Sequence, residues 1–146
     1  MVTEVNFVAE KADWMIDCGA TRHIGANREL LTEFEEATGV DLVFMGNSAT
    51  VQVLGKGKVT LKLTSGKSLT LQNVLFVPSM CRNLISSTLL EIVGIKQVIA
   101  SGKIVLSKND EFVGKAYRTT GLLYVLQTVI DNKFNSSAYI VETLDL

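Results

Sequence analysis

Trp14-Met15-Ile16-Asp17-Cys18-Gly19-Ala20 is the stretch on which the reading of this chain turns. Three consecutive apolar residues form a strand that delivers a carboxylate into a tight turn, and Gly19 lets backbone pass close to it. That placement presents an acid for chemistry rather than for solvation. Asp-x-Gly also occurs in ordinary loops, where aspartate serves as a turn or cap residue. The remainder of the chain must therefore decide between the two readings. A second stretch, Asn83-Leu84-Ile85-Ser86, is the natural companion of the first.

Length and composition set the frame. The 146 residues suit one domain with one sizeable core, and 47% hydrophobic content predicts a folded chain. Apolar residues come in short runs, far below the roughly 20 that span a bilayer, so no membrane partner is expected. No basic start followed by an apolar core reads as a secretion signal. With 14 basic and 15 acidic residues intermixed, the composition shows no basic stripe, so no direct nucleic-acid partner is expected. Two cysteines, Cys18 and Cys81, do not make a disulfide framework and fit a reducing compartment.

Strand signals dominate. Val40–Phe44 and Thr50–Leu54 flank Gly46-Asn47, a dipeptide suited to a two-residue hairpin. After Gly55-Lys56-Gly57, which separates two strand stretches, Lys58–Leu63 alternates cleanly, with Val59, Leu61 and Leu63 on one face. Ser68–Leu71 and Asn73–Val77 follow the turn at Thr64–Lys67. Later strands are expected over Ile95–Ala100, Lys103–Ser107, Glu111–Arg118 and Leu122–Leu126. Two short helices are predicted. One covers Arg28–Thr38, with Asn27 as N-cap, and the other Ser87–Val93, with Ser86 as N-cap and Gly94 as stop. The sum is an all-β domain over residues 1–127, with residues 128–146 reading as a linker. Its strand edges need closure or a partner, so a small barrel or a dimer is expected.

A single well-placed aspartate can cleave a peptide only in company. One group must activate water while another polarises the scissile carbonyl. Two carboxylates sharing one proton supply both roles, because their repulsion separates their affinities for it. Asp110 and Asp131 sit in polar turns without a preceding apolar strand. An aspartic protease reading therefore requires two chains, each lending Asp17 across a two-fold axis.

Residues 14–24, Trp-Met-Ile-Asp-Cys-Gly-Ala-Thr-Arg-His-Ile, resemble the protease segment of copia-type long-terminal-repeat retrotransposon polyproteins. Asn73-Val74-Leu75-Phe76-Val77-Pro78, Arg82-Asn83-Leu84-Ile85-Ser86 and Gly121-Leu122-Leu123-Tyr124-Val125-Leu126 are similar to further blocks of that family in the same order. The resemblance implies a retropepsin-like closed barrel with one or two short helices and a C-terminal β extension. It implies a homodimeric endopeptidase that processes its own Gag-Pol polyprotein in the cytoplasm, within the retroelement particle, with no metal or cofactor. By the same resemblance Asp17 is the catalytic residue, with Cys18, Gly19 and Ala20 completing its turn. Met45, Gly46, Asn47 and Ser48 tip a flap over the peptide substrate. Leu84, Ile85 and Ser86 form the psi-loop behind the Asp turn, and 128–146 leads toward an integrase.

One position departs from the pattern. Cys18 stands where the family carries Ser or Thr, whose hydroxyl bonds the partner chain beneath the site. A thiol is a weak donor, so that clamp weakens by ~1 kcal/mol per lost bond. The departure supports a second expectation: a catalytically weak or inactive retropepsin-like module that dimerises or binds peptides. Other constellations carry less. His23 has no orienting third group for a Cys–His hydrolase, and a structural bond near the Asp turn suits it better. Cys18, His23 and Cys81 lack paired zinc-ligand spacing. Ser65-Gly66-Lys67-Ser68 mimics a phosphate loop, but Leu61 stands where Gly is required. Lys56, Lys58, Lys62 and Lys67 read as a solvated edge.

Overall fold

The computed structural model describes residues 12–44 and 49–129. They form an all-β structure of ten strands in one sheet: β1 (Trp14–Asp17), β2 (Ile24–Gly25), β3 (Thr32–Phe44), β4 (Thr50–Lys62), β5 (Ser68–Phe76), β6 (Asn83–Ser86), β7 (Lys96–Ala100), β8 (Lys103–Lys108), β9 (Glu111–Arg118) and β10 (Tyr124–Leu126). One helix, α1 (Ser87–Ile92), interrupts the run of strands. The order across the sheet is β3-β4-β5-β2-β6-β1-β10-β9-β8-β7.

The centre of that order explains the apolar runs. β1 pairs in parallel with β6, Trp14 opposite Asn83 through Asp17 opposite Ser86, and antiparallel with β10. Side chains alternate between faces along a strand. Trp14, Ile16 and Ile85 therefore enter one apolar cluster, with Leu63, Leu71, Leu90, Ile104 and Leu126. Met15 and Leu84 enter a second, on the opposite face, with Ile24, Val53, Leu75, Val77 and Val125. A strand buried on both faces has no polar position to spare, which is why Trp-Met-Ile and Leu-Ile read as continuous hydrophobic stretches.

The expected barrel does not close. β3 and β7 end the sheet as separate edges, and closure would require them to pair. The sheet instead curls until the end of β4 meets the chain after β10. A single bridge, Leu63 to Thr128, marks the seam, flanked by Thr64 N–H to the Gln127 carbonyl and Val129 N–H to the Lys62 carbonyl. Ser65 Oγ also donates to the Val113 carbonyl across the gap. The part of the expected linker beyond Val129 lies outside the described residues.

The helix expected over Arg28–Thr38 is replaced by a single 3-10 turn, Arg28–Leu30, followed directly by β3. Asn27 caps that turn as expected, accepting from Glu29 N–H. The helical spacing of Leu30, Leu31, Phe34 and Ala37 loses to long-range pairing with β4, and of the four only Leu31 is buried. The two stretches expected on either side of Gly55-Lys56-Gly57 are one strand, because β4 runs straight through these residues. These glycines admit β3 at close range. A Cβ on Gly55 would sit 2.5 Å from the Glu35 carbonyl oxygen, and one on Gly57 would sit 2.7 Å from that of Thr32. The two stretches expected over 68–77 merge into β5, with Asn73 at φ 53° beside a register shift. The last strand starts at Tyr124 rather than Leu122, which stays 88% exposed. Helix α1 and strands β7 to β9 lie where the sequence puts them, within a residue or two.

Candidate active site

Asp17 ends β1 half-buried, and the chain turns immediately after it. Its Oδ1 accepts the Gly19 N–H at 2.8 Å, the side-chain-to-backbone closure that aspartate makes in tight turns. Ala20 N–H donates back to the Asp17 carbonyl at 3.3 Å. Cys18 and Gly19 are exposed at the tip. The turn thus fixes a carboxylate by one bond and leaves the turn tip open to solvent or to another molecule.

Behind the turn lies a network that spacing alone does not reveal. Ser86, fully buried at the end of β6, donates from Oγ to the Ala20 carbonyl at 2.7 Å. The same oxygen accepts the Leu89 N–H and caps α1. The Ser86 N–H donates to His23 Nδ1 at 3.0 Å. That bond requires an unprotonated Nδ1, so the imidazole is neutral with its proton on Nε2. Burial pushes the His23 pKa down from 6.5 to about 4, consistent with a ring that cannot take a second proton in place. Asn83, also buried, accepts the Ala26 N–H at 2.9 Å and reaches the Ala12 and Asp13 carbonyls at 3.5 and 3.4 Å. Two ends of the β1–β6 pair are therefore locked by buried polar side chains, Asn83 at one and Ser86 with His23 at the other.

The structure brings together Asp17, Gly19, Ala20 and Ser86, with Leu84 and Ile85 packed along β1 on its two faces. Met45, Gly46, Asn47 and Ser48, expected at the flap tip, lie outside the described residues. The hairpin arms that flank them, β3 and β4, pair as far as Phe44 opposite Thr50. An open cleft of about 430 Å³ lies between the downstream side of the Asp turn, at Arg22, and the arm, at Glu36, Thr38, Val53 and Lys56. Asp17 does not line that cleft. Cys18 and Cys81 are both exposed and unbridged, whereas His23 is buried, so the three do not share a site. Among the described residues no three His, Cys, Asp or Glu side chains gather as a metal would require. Nor is any helix among them long and apolar enough to cross a membrane.

Comparison with known proteins fits this geometry. The family model described as the Pol polyprotein beta-barrel domain matches residues 14–95, from β1 to just past α1. This chain belongs to the Pol polyprotein beta-barrel domain family. Its relatives include the retrovirus-related Pol polyproteins from transposon RE2 of Arabidopsis thaliana, 37% identical over 82 residues, and from transposon TNT 1-94 of Nicotiana tabacum, 30% identical over 114. The Pol polyprotein from Arabidopsis transposon RE1 is 35% identical over 74 residues. These alignments cover 56%, 78% and 51% of this chain, but only 6%, 8% and 5% of the relatives. No solved structure matches the chain. The beta-barrel domain match contains the Asp17 turn, the β3–β4 arm, β6 and α1, and stops before β7.

Proposed function

We propose that this beta-barrel domain is an aspartic endopeptidase that cleaves the retrotransposon polyprotein carrying it. It works as a homodimer in which each chain contributes one Asp17. The observation that carries the reading is the turn itself, a carboxylate at the end of a doubly buried strand, held by the Gly19 N–H and backed by Ser86. A rigid support of this kind suits a group that must meet a twin at hydrogen-bonding range.

In the dimer, the two carboxylates share one proton because both cannot ionise side by side. The ionised member takes a proton from water as the water oxygen attacks the scissile carbonyl carbon. The protonated member donates to the carbonyl oxygen. Collapse of the tetrahedral intermediate then breaks the C–N bond: the carboxyl that took the water's proton gives it to the leaving amine, and a hydroxyl of the intermediate returns its proton to the other carboxylate. The pair titrates as a unit. The β3–β4 arm lies over an extended peptide of mostly apolar side chains, and Met45, Gly46, Asn47 and Ser48 act in binding that peptide. The site needs no metal or cofactor, and its setting is the cytoplasmic retroelement particle.

Incubation of the chain with its flanking polyprotein, read by mass spectrometry, tests the proposal. Asp17→Asn should abolish every cleavage, and a pepstatin-type inhibitor should reduce cleavage by the parent chain. Cleavage that survives Asp17→Asn would falsify the assignment. A stable dimer that binds peptide without ever cutting it would favour the second reading, to which the exposed Cys18 thiol points.

A further inference from the structure

The outer face of β7, β8 and β9 carries chemistry that the Asp17 turn does not use. The register places Ala100, Lys103 and Tyr117 in one row across the three strands, and Val98, Val105 and Lys115 in the next. Lys96, Ser107 and Phe112 form the third row. The opposite face is the core side, where Ile104, Leu106 and Ala116 are fully buried. Among the described residues, these rows thus hold three lysines, a tyrosine and a phenylalanine beside Val98, Ala100, Val105 and Ser107, and no carboxylate. Phe112 is 47% exposed, and the Lys115 ammonium lies 5.5 Å from the centre of the Tyr117 ring. Among the described residues no ion pair engages Lys96, Lys103 or Lys115. The nearest carboxylate in sequence, Glu111, points to Lys67 on the other side of the β8–β9 hairpin end, at 4.0 Å.

Whole-chain composition hides this face. Between Lys96 and Arg118 there are five basic and two acidic residues, against 14 and 15 in the entire chain. The positive charge is therefore local, and it coincides with the two aromatic rings.

We propose that this face binds single-stranded nucleic acid, with Lys96, Lys103 and Lys115 contacting phosphates and Tyr117 and Phe112 stacking on bases. Rows of a sheet lie about 7 Å apart along the strands, and the strands about 4.8 Å apart. The patch therefore spans the footprint on which other sheets stack about two or three bases. An acidic peptide satisfies the lysines but leaves the rings unused, and a duplex hides its bases from them. The proposal is independent of proteolysis at Asp17.

Fluorescence anisotropy on the full chain tests it, using labelled 12-nucleotide oligouridylate and oligothymidylate at low salt. Binding should saturate, and log affinity should fall with log salt at a slope near −2, as about three phosphate contacts require. Lys96→Ala/Lys103→Ala/Lys115→Ala should weaken binding at least about tenfold. Tyr117→Ala should weaken it about fivefold or more, whereas Tyr117→Phe retains it. Far-UV circular dichroism confirms that each variant is folded, and Lys56→Ala, on the distant arm, should bind as the parent does. Absence of saturable binding overturns the proposal. So does a triple-lysine variant with parental affinity, or polyglutamate of equal charge competing as well as the oligonucleotide.

Discussion

Two strand pairs of this domain are built on opposite plans. β1 and β6 are four residues each, buried on both faces, and their ends are tied by Asn83, Ser86 and His23. β3 and β4 are 13 residues each and pair over most of their length, yet most of β3 is exposed, with Val40 at 82% and Phe44 at 74%. The first pair holds its geometry through interior packing and polar locks. The second holds it through backbone pairing and the close approach that Gly55 and Gly57 permit. The contrast separates a rigid support for Asp17 from an arm free to touch something else.

The most damaging way to break the support is to hollow it. Ile85 is fully buried beside Ile16. Ile85→Ala should cost about 3–4 kcal/mol in urea unfolding, through lost burial and the cavity left behind. A cost below about 1 kcal/mol would mean that the β1–β6 pair is far looser than described.

Acid attacks the same support through His23. Its folded-state pKa, about 4, lies below the ordinary 6.5, so the unfolded chain binds the extra proton first. The neutral ring's contribution is fully present above 6.5, declines as pH falls from 6.5 toward 4, and is gone below that. The loss amounts to at most about 3 kcal/mol, with the Ser86 N–H left without its acceptor. Unfolding midpoints measured from pH 7 to pH 4 should show the fall, and the His23 component should vanish in His23→Gln.

Ser86→Ala removes the α1 cap and the donor to Ala20 together. About 1–2 kcal/mol of stability should go, and peptide cleavage should fall because the Asp17 turn loses its backing. Phe44→Ser on the arm sharpens the contrast from the other side. At 74% exposure it should change stability by less than about 0.5 kcal/mol, while peptide cleavage drops several-fold if the arm covers substrate.

Much of this architecture is readable from local pattern. Ser86 and Gly94 bracket α1, and alternation with turn residues places β8 and β9. Local pattern fails where distant chain decides. Leu30, Leu31, Phe34 and Ala37 have helical spacing, but β4 claims the segment, and only Leu31 finds the core. Gly55 and Gly57 read as a break between two strands because glycine serves close backbone approach as readily as it serves bends. The Asp17 turn, the Leu84-Ile85-Ser86 stretch behind it and the structural role of His23 are visible in the sequence. The specific bonds are not, since Ser86 meets His23 and Ala20 from more than 60 residues away. Barrel closure fails for a similar reason, because edge pairing of β3 with β7 is a property of the whole curl rather than of either strand.

Subunit mixing tests the central claim, that activity needs two Asp17 carboxylates from two chains. Wild-type and Asp17→Asn chains are mixed in equal amounts, allowed to exchange, and assayed on the flanking polyprotein at constant total chain. Only about one dimer in four then carries both carboxylates, so the rate should fall to about a quarter of the all-wild-type value. A rate near one half would mean that each chain works alone, and would contradict the account.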